Sequence, residues 1–281
     1  MTRCLSCYVR VSYNRRMNIL YIGDIMGEPG IRVVEKVLPG IRREHNVDVV
    51  IAQAENTTDG KGIGIADFGR LRKLGIDGFT GGNWSLHLPE IIPAMSDPAQ
   101  PIVRPANYPA GTPGLGHKLI DTPKGKVLIV SLLGHIVGRD SEKPVDNPLQ
   151  VVDKILDRYA DTDLAAKVVN LHGDFSSEKF VIGRYLDGRA SLVVGDHWHI
   201  PTADASVLVG GTAHITDVGM CGTYDSCLGV KLDVIINRWH SGTPSRNILE
   251  DSGRMQFCAV MATVDPETGK ATAIEQIRRI C

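Results

Sequence analysis

Seven residues of the kinds that hold metal ions recur behind short apolar runs: Asp24, Glu55 with Asn56, Asn83, His172, and His197 with His199. Most have an ordinary reading of their own. Asp24 would cap the helix that starts after Pro29, Glu55-Asn56 and Asn83 would be turn residues, and His172 would be a hydrogen-bonded core histidine. His197 and His199 resist that treatment, because imidazoles at i and i+2 of an extended segment point to the same side. Together the seven form a carboxylate, amide and imidazole donor set without thiolate, which suits manganese, iron or zinc. A carboxylate can bridge two cations, a role open to Glu55 or Asp24. Two cations about 3.5–4 Å apart clamp a phosphoryl group and make a bridging water acidic enough to attack it. Hydrolysis of a phosphoester is the chemistry these residue types serve.

Strands must carry these residues to one place. Asn18–Gly23, Val47–Gln53, Asp77–Thr80, Lys126–Leu133, Lys167–His172, Ser191–Gly195 and Thr212–Asp217 are short apolar or β-branched runs that read as strands. Ile31–Glu44, Ile65–Leu74 and Leu149–Tyr159 have apolar residues at helical spacing. This alternation predicts an α/β layered protein whose main sheet is covered on both faces. Gln256–Val264 and Lys270–Arg279, joined by DPETG, read as a β-hairpin, so the sheet is expected to be mixed. The donors follow the carboxyl ends of the strands, where ligands gather in open α/β sheets.

Composition narrows the function classes. Thirty-one basic residues against 32 acidic ones give a net charge of -1, without the basic surplus of a nucleic-acid scaffold. A small phosphorylated ligand is compatible, since one site needs only local positive charge. No run approaches the roughly 18 apolar residues of a membrane span. Six scattered cysteines in a chain of this size read as reduced thiols of a cytoplasmic protein, Cys4-x-x-Cys7 included, since no second pair lies near it. Residues 1–16, with four arginines and no acid, lack the apolar core of a secretory signal and read as an extension. A single domain over 17–281 follows, with no repeat and no low-complexity linker.

The stretches NILYIGDIMGEPG, AENTTDGKGI, VRPANYPAGTPG, SEKFVIGRYLDGRAS, VVGDHWHIPTAD and TAHITDVGMCGTYDS make the chain recognisable. From Met17 to about Ile280 it resembles the YmdB-like family of bacterial calcineurin-like metallophosphoesterases, of the 2′,3′-cyclic nucleotide phosphodiesterase type. The resemblance implies a four-layer α/β/β/α sandwich with mixed sheets, two divalent ions, and hydrolysis of cyclic nucleotides or a related small phosphodiester through a bridging hydroxide. Iron and manganese lead as the metals, with zinc and magnesium behind them. By motif, Asp24, Asn56 and His199 match first-metal ligands, Asn83, His172 and His197 second-metal ligands, and Glu55 the bridge. A small-molecule substrate, no membrane or large nucleic-acid partner, and a homo-oligomer are the accompanying expectations.

One position departs from the family. Its third motif is Gly-Asn-His, whose histidine is the general acid over the phosphate; here it reads Gly82-Asn83-Trp84. An indole can donate a hydrogen bond but no proton, and losing a general acid costs about 10²–10⁴-fold in rate. His87 is the candidate to fill the gap, against the plainer reading of a solvent-facing turn residue. Trp84, Arg104, Asn107 and Arg189 are candidates for substrate binding, Trp84 by stacking on a base and the arginines by forking onto phosphate. Thr216–Met220 is expected to close near the metals, and Gly222–Asp225 to pack a neighbouring subunit. Two further readings keep the same ligands: a metal- and nucleotide-binding regulator with little turnover, and a phosphomonoesterase or nucleotidase.

Overall fold

A computed structural model describes residues 16–137 and 144–281. The expected extension and the Cys4/Cys7 pair lie outside the described residues, but for Arg16. The first apolar run forms β1 (Met17–Ile22), which pairs in parallel with β3 (Val49–Gln53), itself parallel to β4 (Gly78–Thr80). On its other edge β1 lies antiparallel to β12 (Met255–Asp265), which forms the C-terminal hairpin with β13 (Lys270–Ile280). Two short strands, β2 (Asp24–Ile25) and β11 (Met220–Thr223), complete this sheet through Met220↔Asp24 and Gly222↔Gln256.

A second sheet has the order β5 (His117–Thr122), β6 (Gly125–Leu133), β7 (Leu164–His172), β8 (Leu192–Asp196), β10 (Ala213–Ile215) and β9 (Ser206–Val207). From β6 to β10 the neighbours are parallel; the two edge strands are antiparallel.

The side-chain alternation of the strands sets the layers. Ile19, Tyr21, Val49 and Ile51 of the first sheet face Val127, Ile129, Val168, Leu192 and Val194 of the second, all buried. On the outer side of the first sheet Leu20, Ile22, Val50 and Ala52 meet α1 (Gly27–Glu44) through Val33, Val34 and Leu38, and α2 (Ile65–Lys73) through Phe68 and Leu71. On the outer side of the second, Leu128, Val130, Val169 and Val193 meet Val152, Ile155 and Leu156 of α4 (Pro148–Arg158) and Ile182 of α5 (Ser176–Tyr185). The result is four layers, α/β/β/α. Each fully buried aliphatic side chain in them contributes about 1.5–3 kcal/mol of transfer free energy.

The residue pattern implies one main sheet between helices, and the structure corrects this to two sheets face to face. A strand buried on both faces is a continuous apolar run whether helix or sheet covers it, so the pattern alone does not separate the cases. Three helices, α3 (Ile92–Ser96), α5 and α6 (Leu232–Ser241), are also absent from the sequence reading. α6 buries none of its residues and leaves Leu232, Ile236 and Trp239 exposed.

Candidate metal centre

Parallel strands deliver their carboxyl ends to a common edge, and the two sheets meet there. Asp24 follows β1 after one glycine, Glu55-Asn56 follow β3, and Asn83 follows β4 after Gly81-Gly82. His172 is the last residue of β7, and His197 and His199 follow the last residue of β8, Asp196.

These side chains form two joined groups. In one, His172 Nε2 lies 2.8 Å from Glu55 Oε1 and 3.1 Å from Asn83 Oδ1, while the His197 ring stands against that of His172 with centroids 4.5 Å apart. Ligand atoms of Glu55, His172 and His197 all lie within 4.8 Å of one another. In the other, His199 Nε2 lies 3.3 Å from Asn56 Oδ1 and 3.9 Å from Asp24 Oδ1. The backbone N–H of His197 donates to Asp24 Oδ2 at 3.2 Å, joining the groups.

Hydrogen bonds fix which atoms face inward. The Nδ1–H of His172 donates to Asp196 Oδ1 at 2.6 Å and that of His199 to the Leu228 carbonyl at 3.1 Å. In the neutral rings both Nε2 atoms therefore carry lone pairs directed at oxygen acceptors. Asn56 donates from Nδ2 to the Gly60 carbonyl at 2.9 Å, turning Oδ1 toward His199. Asp24 Oδ1 is buried and has no hydrogen-bond partner among the described residues. A buried carboxylate oxygen without a donor is costly, and lone pairs facing lone pairs repel. A cation relieves both, so the residues present fit the metals that the fold implies. The backbone leaves room for them: a Cβ on Gly82 would stand 2.2 Å from Glu55 Oε2 and 2.4 Å from His172 Cδ2.

Without a cation the centre favours protons in its place. Burial, with Asp196, Asp217 and Glu55 nearby, raises the Asp24 carboxyl well above the usual range, against the pull of His172. Burial alone would lower His172, but Glu55 and Asp196 outweigh it and hold the imidazole well above its ordinary value. Burial and the adjacent His172 push His197 down to about 4. Burial lowers His199 as well.

A supporting shell was not singled out from the sequence. Asp196 Oδ2 accepts from Tyr21 Oη at 3.0 Å, from Gln53 Nε2 at 2.9 Å and from Asn170 Nδ2. Against the cost of burial, His172 and Lys179 hold Asp196 below the usual carboxylate range. Lys179, fully buried, pairs with Asp217 at 2.8 Å and stands 3.9 Å over the Trp198 ring. The signal that could have found this shell is a polar residue on a sheet-facing position of an apolar strand: Gln53, Asn170 and Asp196 all qualify.

The remaining sequence candidates fall in several places. Asp24 caps nothing, because α1 starts at Gly27 with Met26 before it and no side-chain cap. His197 and His199 are not in extended backbone: their φ angles are 99° and 64°, and they serve different groups, so the i, i+2 argument does not apply. Trp84 binds the site through its backbone N–H, which donates to Glu55 Oε2 at 3.0 Å. Its ring has Lys61 Nζ 4.6 Å above it and the exposed His87 5.2 Å away, edge-on. Asn83, Trp84, His87, Tyr108 and Thr112 line a cavity of about 460 Å³. Arg104 is committed to the carbonyls of Pro105, Thr112 and Pro113, so it braces a loop. Asn107 ties both backbone groups of Leu133 to the Asp146 carbonyl. Arg189 pairs with Asp153 at 2.7 Å and lies beside Leu164 at the amino end of β7, the end away from His172. The Thr216–Met220 loop does close on the site, since the Asp24 N–H donates to the Gly219 carbonyl at 3.0 Å. In Gly222–Asp225, the Asp225 carboxylate pairs with Arg254 of the same chain.

Four layers with this donor set at the strand ends define a metallophosphoesterase fold. The sequence model of the YmdB-like protein family matches residues 20–277, and the chain belongs to that family. It is 36% identical to the 2′,3′-cyclic-nucleotide 2′-phosphodiesterase of Bacillus subtilis, over 93% of this chain and 96% of that protein. The crystal structure of a hypothetical protein from Thermus thermophilus superposes with a TM-score of 0.84 at 36% identity, covering 94% of this chain and 99% of that one. That of a novel phosphatase from Mycoplasma pneumoniae gives 0.86 at 27%, covering 94% of each. Membership places the chain among metal-dependent phosphoesterases.

Proposed function

We propose that this chain hydrolyses cyclic nucleotides of the 2′,3′ type, with Asp24, Asn56 and His199 holding one divalent ion, Asn83, His172 and His197 the other, and Glu55 shared. The observation that carries the reading is the unsatisfied, buried Asp24 Oδ1 facing His199 within a donor set spread over five strand ends. The Bacillus subtilis relative, similar over nearly its whole length, supports the substrate class. When bound, the two ions supply positive charge for the phosphate oxygens and a water acidic enough to be a nucleophile near neutral pH. Iron or manganese suits a set without thiolate.

The chain's own residues do the rest. Asp196 and the Leu228 carbonyl fix the tautomers of His172 and His199 and keep their Nε2 lone pairs inward. The cavity beside Asn83 is of a size to take a nucleoside, with Trp84 and Tyr108 as its aromatic walls. Among the described residues no helix is long and apolar enough to cross a membrane, and the buried thiols of Cys221 and Cys258 support a cytoplasmic setting. The apolar residues left exposed on α6 support a homo-oligomer.

The test is turnover of 2′,3′-cyclic AMP and bis-p-nitrophenyl phosphate by the manganese-loaded chain and its Asp24→Asn variant. Metal-dependent release of a nucleoside monophosphate, lost in the variant, is expected. A loaded chain that leaves both substrates intact would overturn the proposal and favour a binding protein.

A further inference from the structure

With Trp84 in the acid's position, the proton for the leaving oxygen has to come from elsewhere. Of the nine histidines, three belong to the donor set, and His45, His117, His214 and His240 are tied up far from it or lie on α6. His87 and His135 remain at this edge.

His135 follows β6 by two residues, and the last residue of β6, Leu133, pairs with His172. The intervening peptide is stitched to the segment that carries His172. The Gly134 N–H donates to the His172 carbonyl at 2.8 Å, and the Asp174 N–H donates to the His135 carbonyl at 2.8 Å. The Asp174 carboxylate in turn lies 3.3 Å from His197 Nε2.

His135 is held by both oxygens of one carboxylate, one on its ring and one on its backbone. Glu178 of α5 accepts the Nδ1–H with Oε1 and the backbone N–H of His135 with Oε2 at 2.8 Å. A Cβ at position 134 would stand 2.4 Å from Glu178 Oε2, so this grip requires Gly134. The ring leans on Phe175, with centroids 5.7 Å apart, and its side chain is 75% exposed. A carboxylate on Nδ1 orients an imidazole and leaves Nε2 as the atom that gives and regains a proton. His87 lines the cavity beside Asn83 and has a ring contact with Trp84, but among the described residues no carboxylate holds its ring.

We propose that His135 is the general acid of this chain and Glu178 its positioning residue; this rests on the phosphodiesterase reading above. In hydrolysis of a 2′,3′-cyclic phosphate, a water oxygen forms the new P–O bond and its proton passes to solvent. The P–O bond to one ribose oxygen breaks, that oxygen takes the Nε2 proton of His135, and the exposed imidazole recovers a proton from solvent. One water is consumed and one monophosphate formed.

The test sets wild type, His135→Ala, His135→Gln, His87→Ala and Glu178→Gln, all manganese-loaded, against 2′,3′-cyclic AMP and bis-p-nitrophenyl phosphate, whose leaving group needs little acid. Both His135 variants are expected to lose about 10²–10⁴-fold in kcat on the cyclic nucleotide, with KM and the nitrophenyl ester unaffected. Glu178→Gln should lose kcat with the same substrate selectivity. In the metal-free protein, 15N NMR should show His135 protonated on Nδ1 when neutral, and this preference lost in Glu178→Gln. Equal losses on both substrates, no loss, or a loss that follows His87→Ala and spares His135→Ala would each overturn the proposal. A wild type inactive on both substrates would instead remove the phosphodiesterase reading, and His135's role with it.

Discussion

Replacing Asp24 with asparagine should strengthen the metal-free protein and weaken the metal-loaded one. The carboxylate is buried beside Asp196, Asp217 and Glu55, and its Oδ1 has no donor among the described residues. The amide introduced by Asp24→Asn keeps an oxygen for the His197 N–H and places an NH₂ where it can donate toward His199 Nε2, 3.9 Å away in the parent. Removing one unsatisfied buried polar group is worth about 1–3 kcal/mol, more when it is charged. At roughly 2–4 °C per kcal/mol in a domain of this size class, the metal-free variant should melt several degrees above the wild type. The gap should widen with pH. A carboxyl raised by folding adds no penalty below its ordinary value near 3.8 and an increasing one as pH climbs toward the folded value. With manganese at about 100 times its dissociation constant, the wild type gains about 2.7 kcal/mol that the variant largely forgoes, so the order reverses. Calorimetric melts at several pH values, with chelator and with manganese, read all of this. A variant less stable than wild type in chelator would refute the claim that Asp24 is an uncompensated charge awaiting a cation.

Other consequences are as specific. In the His135→Ala background, Trp84→His should recover part of the about 10²–10⁴-fold that a general acid supplies on 2′,3′-cyclic AMP, and should leave the metal content unchanged by elemental analysis. Gly82→Ala drives a methyl into Glu55 and His172, so the purified protein should retain its fold by circular dichroism but lose manganese in equilibrium dialysis. His172 must lose its proton to bind a cation, and its pKa is raised by Glu55 and Asp196 against burial. Manganese affinity by titration calorimetry should therefore keep increasing with pH above about 6.5, the ordinary histidine value. His197, lowered to about 4, acts at the other end: unfolding takes up its proton, so metal-free stability should fall as pH drops from about 6.5 through 4, and His197→Gln should flatten that fall.

Much of the centre is legible in the sequence because its ligands occupy a repeated place, the first residues past a short apolar run, where parallel strands deliver their ends. The fold class follows from the same runs. What escaped has physical causes. Two stacked sheets and one sheet between helices write the same apolar strands, so the second sheet is invisible to periodicity. The turn at 197–199 bends through positive φ at two histidines, which no spacing rule anticipates. Arginine offers five donors to any acceptor, and three backbone carbonyls claim Arg104 before a phosphate can. α6 carries Leu232, Ile235, Ile236 and Trp239 at helical spacing, so the helix itself is legible in the sequence; that Leu232, Ile236 and Trp239 stay exposed is not. The Glu178 grip on His135 joins residues 43 apart in the chain and depends on a glycine whose role shows only in three dimensions.

The most direct test of the two-metal phosphodiesterase is a manganese titration of the metal-free chain followed in parallel by bound metal and by hydrolysis of 2′,3′-cyclic AMP. Two ions per chain should bind, with turnover appearing only as the second site fills. One ion per chain at saturation, or two ions with no hydrolysis of the cyclic nucleotide or of bis-p-nitrophenyl phosphate, would contradict it.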